Sequence, residues 1–310
     1  MTATIARIRF RLPRDRRLNS DLSRLTFTRA ELPGDFELVA VGSDPIGKSE
    51  NLVLRTAALP SIEDANTVGT RAQLAVLIAA ARIRLGVDLG KDAPKSMWMQ
   101  AGLEMMRQQH GLPEDTVVLN DFLGLTLVDA SQTTAFVGML GAQGIVGTPV
   151  ERFVDAFAEG FELAQFLSPR SQLALELFSA SRFEASLRAR CLVLVSAIES
   201  ITTRELRAED AQQLIAGMKD LFDTMKINST DREQIAGTLR DLKSRSIAGS
   251  SKALVAKHCG REKAKLFGKC YQARSQLVHT GKTTFDLGAH LQQLEELVAE
   301  TIIGCVRPVA

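Results

Sequence analysis

The sequence of 310 residues has four cysteines, one tyrosine and one tryptophan. The cysteines form neither a Cys-x-x-Cys pair nor a tight framework, so neither a disulfide scaffold nor a zinc site is expected. The longest apolar run, residues 74–81, is too short to span a bilayer, and no signal-peptide core follows the N-terminal arginines. These absences predict a soluble, cytoplasmic protein with no membrane segment, metal or cofactor.

Charge is also nearly balanced, with a net charge of +2, which neither indicates nor excludes a nucleic-acid partner. The apolar fraction of 45% is enough for a large core, and the length favours two domains. We expect an α+β protein. Residues 1–145 would form a mixed α/β domain of unknown role, with sensing and RNA contact as the candidate roles, and residues 146–310 an all-α helical bundle.

Residues 7–12 alternate arginine with apolar side chains, which is typical of a half-buried strand. Its outer face would carry Arg7, Arg9 and Arg11. A solvated charged face is the favoured interpretation, and an RNA-contacting edge is the alternative. Ser61 begins a capping box ahead of a helix that would run to about Leu85. Further strands are predicted at residues 36–41, 51–57, 123–129 and 134–140.

After about residue 145 the pattern becomes helical. Thr148 is predicted to cap one helix, after a glycine-rich joint. Ser168-Pro169 starts a second, whose apolar spacing continues to Ile198 as though it were a single helix. Later helices are predicted to begin at Thr230 and to cover about 260–279 and 287–304.

Residues Gly42–Ser49 (GSDPIGKS) fit the phosphate-binding pattern G-x-x-x-x-G-K-[ST]. That loop binds phosphate only where a helix follows it, because the helix N-terminus supplies N–H donors. Here Leu52, Val53 and Leu54 follow and predict a strand. We therefore expect a turn between two strands and no bound nucleotide.

The sequence YQARSQLVHTGK, residues 271–282, contains an Arg-x4-His pattern formed by Arg274 and His279. Such a pattern alone is weak, since about one match is expected by chance in a chain of this composition. Its surroundings add a polar residue, Ser275, directly after the arginine. Gly281 is predicted to end the helix.

This stretch, together with residues 173–190, 190–201 (RCLVLVSAIESI) and 239–247, resembles the HEPN superfamily, specifically its ApeA-like members. The resemblance covers about residues 150–310 and implies a metal-independent RNase whose Arg-x(4–6)-His motif is completed by a second subunit. It would place Arg274 and His279 in the catalytic positions, with Ser275 and Glu199 in support. It also implies a setting in antiphage defence or toxin-like RNA cleavage. Thr280 departs from the family, where glycine often follows the histidine.

The chemistry of these residue types fits RNA cleavage. Histidine can move protons near neutral pH, and arginine can stabilise phosphate charge. Five helical residues separate the two side chains by about 140°, so they meet at one phosphate only if the helix ends early or a partner subunit contributes. A homodimer is therefore expected.

The alternative is a non-catalytic HEPN module that binds RNA or dimerises, in which Arg274 only pairs with Glu199. Tyr271 could stack on a base, although packing is its favoured role. Lys282 is a further possible RNA contact, at the end of the same segment.

Overall fold

A computed structural model describes the chain over residues 3–306, apart from residues 43, 91–103, 106, 109–110, 114, 138–145 and 185. Within these ranges it is an α+β protein, with an antiparallel sheet in the N-terminal half followed by a run of helices. The predicted fold class is confirmed to this extent. None of the described helices has both the length and the apolar character needed to cross a membrane.

The main sheet has five strands, all paired antiparallel, in the order β3-β4-β5-β1-β7. Two pairs of short parallel strands, β2 with β9 and β6 with β8, lie beside it. The strands are β1 (Thr4–Arg11), β2 (Arg16–Asn19), β3 (Arg24–Phe27), β4 (Phe36–Ala40), β5 (Asn51–Thr56), β6 (Val117–Asn120), β7 (Gly124–Asp129), β8 (Thr134–Val137) and β9 (Val146–Pro149).

Polar caps start several of the helices, since a side-chain oxygen accepts an N–H that has no partner within the helix. Ser61 and Ser168 accept from the backbone N–H three residues on, as their sequence context predicts. The helices are α1 (Ile62–Arg82), α2 (Val150–Leu163), α3 (Pro169–Ser181), α4 (Leu187–Ile201), α5 (Glu209–Thr224), α6 (Ser229–Leu242), α7 (Ile247–Cys259), α8 (Arg261–Thr280) and α9 (Leu287–Val306).

Three predicted boundaries are wrong. Thr148 caps no helix, because it belongs to β9 and pairs with Leu18. The helix expected from Ser168 to Ile198 is two helices, because Ser186 caps a new start at α4. α6 begins at Ser229 behind an Asn228 cap, one residue before the predicted start.

The turn predicted for GSDPIGKS is confirmed around its described residues, since Ile46–Lys48 form one 3-10 turn between the antiparallel strands β4 and β5. The backbone N–H of Ile46 donates to Leu22 and that of Gly47 donates to Ser20. These N–H groups are therefore used within the fold and do not form a phosphate cradle.

The core is one connected cluster that runs from the sheet into the helices. Helix α1 is its centre, packing on β1 and β7 as well as on α2, α3 and α9. Phenylalanine rings fill the space between sheet and α2, including the stacked pair Phe10 and Phe153. The expected domain boundary at 145/146 falls next to residues outside the described ranges and stays a prediction.

Candidate active site

Helix α8 carries most of the predicted site. It ends at Gly281, whose φ of 70° is left-handed and whose N–H donates to the carbonyl of Leu277. Glycine adopts this conformation without steric cost, so the predicted role of Gly281 is confirmed. The helix therefore continues one residue past His279.

Glu199 on α4 faces α8 and accepts two hydrogen bonds from it. Its Oε1 accepts from the Tyr271 hydroxyl at 2.8 Å, and its Oε2 accepts from Nη2 of Arg274 at 3.3 Å. Tyr271 is held edge-on against Phe267, which is fully buried. The structure thus brings together three of the predicted residues, Glu199, Tyr271 and Arg274. The buried ring of Phe267 holds Tyr271, and Tyr271 in turn orients the Glu199 carboxylate.

Arg274 is only partly buried in this cluster. Its side chain is 29% exposed and that of Glu199 is 19% exposed. Among the described residues Arg274 donates to Glu199 alone, so most of its five N–H donors are still available to a ligand. Burial and then the Glu199 carboxylate raise the pKa of Tyr271, so its hydroxyl is a hydrogen-bond donor at neutral pH.

His279 lies apart from this cluster. It is exposed in the last turn of α8, and its ring makes no hydrogen bond to any residue within the described ranges. Ser275, four residues earlier, shares its face of the helix. Because α8 remains helical past His279, the side chains of Arg274 and His279 leave the helix about 140° apart and about 7.5 Å apart along its axis.

Lys282 is exposed directly after the Gly281 turn. The Thr280 hydroxyl donates to the Gln276 carbonyl at 2.8 Å and so stabilises this turn. Thr280, the residue that departs from the HEPN pattern, therefore fits the end of the helix.

The predicted basic face of β1 is wrong for two of its three arginines. Arg7 and Arg9 are each 7% exposed and share the buried carboxylate of Asp121, at 2.7 and 3.1 Å. The ring of Phe136 also covers Arg7 at 3.7 Å. Residues from β6 to β8 thus cover this face, and Arg7 and Arg9 are placed to stabilise the fold. They do not form an RNA-contacting edge.

Arg11 alone of the three is exposed, and it pairs with Asp88 at 2.8 Å. The sequence gives little sign of the Asp121 pairing, because that residue lies more than 100 positions from β1 and in no motif.

The cysteines are poor candidates for chemistry. The Sγ of Cys305 lies 3.5 Å from the Nε2 of His258. Burial raises the pKa of the Cys305 thiol to about 11, which disfavours the thiolate. Burial likewise raises the pKa of Cys270 to about 12. Among the described residues, no three side chains of the metal-binding types lie together.

A cleft of about 750 Å³ opens beside His258, between the ends of α1, α7 and α9. Its charged lining mixes both signs and includes Arg84, Lys257, Glu296 and Glu300. Sequence reasoning did not find it, since it joins residues from three distant segments. The mixed charges do not select one kind of ligand.

No known protein family, curated protein or solved structure matches the chain. The resemblance to HEPN domains therefore stays a prediction that rests on residues 173–190, 190–201, 239–247 and 271–282.

Proposed function

We propose that the chain is a metal-independent endoribonuclease of HEPN type that acts as a homodimer. The observation that supports this best is the position of Arg274. It is held by Glu199 at a partly exposed point, on the helix that also carries His279 near its end. Arg274 is thus oriented and still has donors for a phosphate. A cytoplasmic role in antiphage defence or toxin-like RNA cleavage belongs to the same proposal.

Each residue has a definite role in this proposal. A 2′-hydroxyl loses its proton and attacks the adjacent phosphorus, and the bond to the 5′-oxygen breaks. That oxygen takes up a proton, so one fragment ends in a 2′,3′-cyclic phosphate and the other in a 5′-hydroxyl. His279 transfers a proton in this reaction. Arg274 stabilises the negative charge on the phosphate oxygens. Glu199 is a positioning residue, and Ser275 lies beside His279 for a supporting contact.

A second subunit completes the site. On one α8 the side chains of Arg274 and His279 diverge, so a single copy does not present both to one phosphate. With Arg274 from one chain and His279 of the partner subunit, both groups can reach the same phosphate.

A second candidate function has its own observation. The Tyr271 hydroxyl and Arg274 both donate hydrogen bonds to Glu199, as they would in a polar contact that only joins α4 and α8. The chain would then be a non-catalytic RNA-binding or dimerisation module.

Cleavage of total RNA in EDTA separates the two candidates. We expect His279→Ala to lower the cleavage rate by about two to four orders of magnitude while RNA affinity stays nearly unchanged, because the imidazole acts mainly on the transition state. His258→Ala is the matched control, since His258 lies in the last turn of α7, before α8 begins, and should keep full activity. No cleavage by the wild-type chain favours the binding module.

Arg274→Ala should lower the rate at least as much and also weaken RNA binding, because its charge meets phosphate before the reaction as well. Lys269→Ala removes a charge from an exposed position of the same helix and serves as the control. Cleavage that survives both His279→Ala and Arg274→Ala would place the active centre elsewhere.

A further inference from the structure

Helices α5 and α6 form a hairpin that stands apart from the rest of the molecule. They pack on each other and make no extensive contact with another described element. Their buried residues Ile215, Phe222 and Leu239 do not belong to the connected core. The hairpin is nevertheless fixed at its base, where Arg204 pairs with Asp241 at 3.0 Å.

One face of α5 is apolar and uncovered by the described residues. On the helix, Leu214, Met218 and Leu221 are 68%, 44% and 66% exposed, and Met225, the extended residue directly after its end, is 52% exposed. The three helical residues follow a spacing of four and three, which is that of the a and d positions in a coiled coil. We call these four residues the apolar seam. This regular spacing is suited to packing against a second helix.

Gly217 lies within the same face of α5, between Leu214 and Leu221. A Cβ atom added there would meet nothing within 4 Å. The glycine is therefore not needed by the fold of this chain. Because glycine has no side chain, a second helix can approach the α5 backbone closely beside the seam.

Charge narrows the choice of partner. Among the charged residues of α5 only Lys219 is basic, and the acidic ones are Glu209, Asp210, Asp220 and Asp223. An acidic helix repels RNA and anionic membrane surfaces. The seam is therefore suited to a protein partner. A second copy brings the same acidic residues, so two copies would associate through the apolar side chains and against this charge.

The exposed area is large enough for a pair of copies. The four side chains leave on the order of 400 Å² of apolar surface in water, which is the size of the largest apolar patch on a typical monomer, a patch that is often functional. Homodimer interfaces are about 65% apolar, so two facing seams with their polar rims bury roughly 1,200 Å². That value is at the lower end for specific complexes, and predicts a dimer that dissociates on dilution.

We propose that the apolar seam of α5 binds the same seam of a second copy of this chain. The choice of a second copy rests in part on the proposed function, which needs two subunits. The hairpin follows α4 in the chain: α4 ends at Ile201, two residues after Glu199, and α5 begins at Glu209.

The solution mass tests this interface. At about 10 μM, light scattering after size exclusion should give twice the 33.8 kDa of one chain. The double variant L214E/L221E should give one chain's mass, because it places four carboxylates in the paired seam. Leu173→Glu changes a leucine on α3 that is 46% exposed, and this control should remain a dimer. Circular dichroism should be unchanged in all three proteins, because these residues are not in the core.

Cross-linking gives a second measure that does not depend on the stability of the variants. Met218 lies near the middle of the seam, so a Met218→Cys chain should form a disulfide-linked dimer on mild oxidation. The wild-type chain, with its four native cysteines, should not.

A wild-type chain that is monomeric, or a L214E/L221E chain that still dimerises, would overturn the proposed interface. Cleavage assays keep the two proposals distinct. A seam dimer that cuts no RNA contradicts only the nuclease function. A chain whose dimer survives in L214E/L221E, and which cuts RNA, contradicts only the seam.

Discussion

The molecule contains two arginine–carboxylate clusters of similar composition and opposite placement. In the sheet, Arg7 and Arg9 share Asp121, and all three residues are buried. Between α4 and α8, Glu199 binds Arg274 at a position that is still partly exposed. Burial decides what each cluster can do: the first is closed to any ligand, whereas the second keeps donors within reach of one.

The largest expected effect is a loss of stability when the buried cluster in the sheet is broken. Asp121→Ala should lower the free energy of unfolding by about 3–5 kcal/mol, because it leaves two buried guanidinium groups without their counter-charge. Chemical denaturation monitored by circular dichroism measures this loss. Asp155→Ala removes the partner of the exposed Arg29 and should cost about 1 kcal/mol or less. Equal losses in the two variants would contradict a structural role for the buried cluster.

A smaller effect is expected at the helical cluster. Glu199→Gln keeps an acceptor for Tyr271 and Arg274 but removes the charge, so we expect about 1 kcal/mol or less of lost stability. If the ribonuclease proposal holds, the same variant should lower the cleavage rate, because Arg274 loses its orientation. Denaturation and cleavage are measured on one preparation. A large loss of stability with full activity would mean that this cluster, too, only holds the fold together.

The smallest expected effect is a shift in the pKa of Tyr271. Because this is the single tyrosine of the chain, an ultraviolet titration reports on it alone. Its midpoint should lie above the ordinary value of 10.0, because burial and Glu199 raise the pKa of Tyr271. A raised pKa means that the folded chain favours the protonated phenol. This contribution to stability is complete below the unfolded pKa and is lost as the pH rises through the folded pKa. Glu199→Gln should lower the midpoint only partway, since burial remains; an unchanged midpoint would show that the hydrogen bond does not form.

The sequence predicted those features that local chemistry determines. Ser61, Ser168 and Gly281 set helix ends through contacts within four residues, and each is found in its predicted role. That Glu199 lies opposite Arg274 follows only from the resemblance to HEPN domains, because 75 residues separate the two in the sequence.

Other features depend on contacts that no local pattern encodes. The burial of Arg7 requires Asp121, which follows β6, and Phe136 of β8, and both are more than 100 residues away in the sequence. Strand β9 exists because it pairs in parallel with β2, about 130 residues earlier. The break between α3 and α4 was missed because apolar side chains keep a helical spacing across it.

The central place of α1 has a consequence for the order in which the chain folds. Its second half is surrounded on all sides, with α9 forming part of that surround. On the ribosome, α9 emerges about 200 residues after α1, which at usual rates of synthesis is a delay of roughly ten to forty seconds. During that interval α1 has sheet and early helices beside it but leaves apolar surface uncovered. We therefore expect the nascent chain to expose the kind of apolar surface that chaperones bind until α9 has been made.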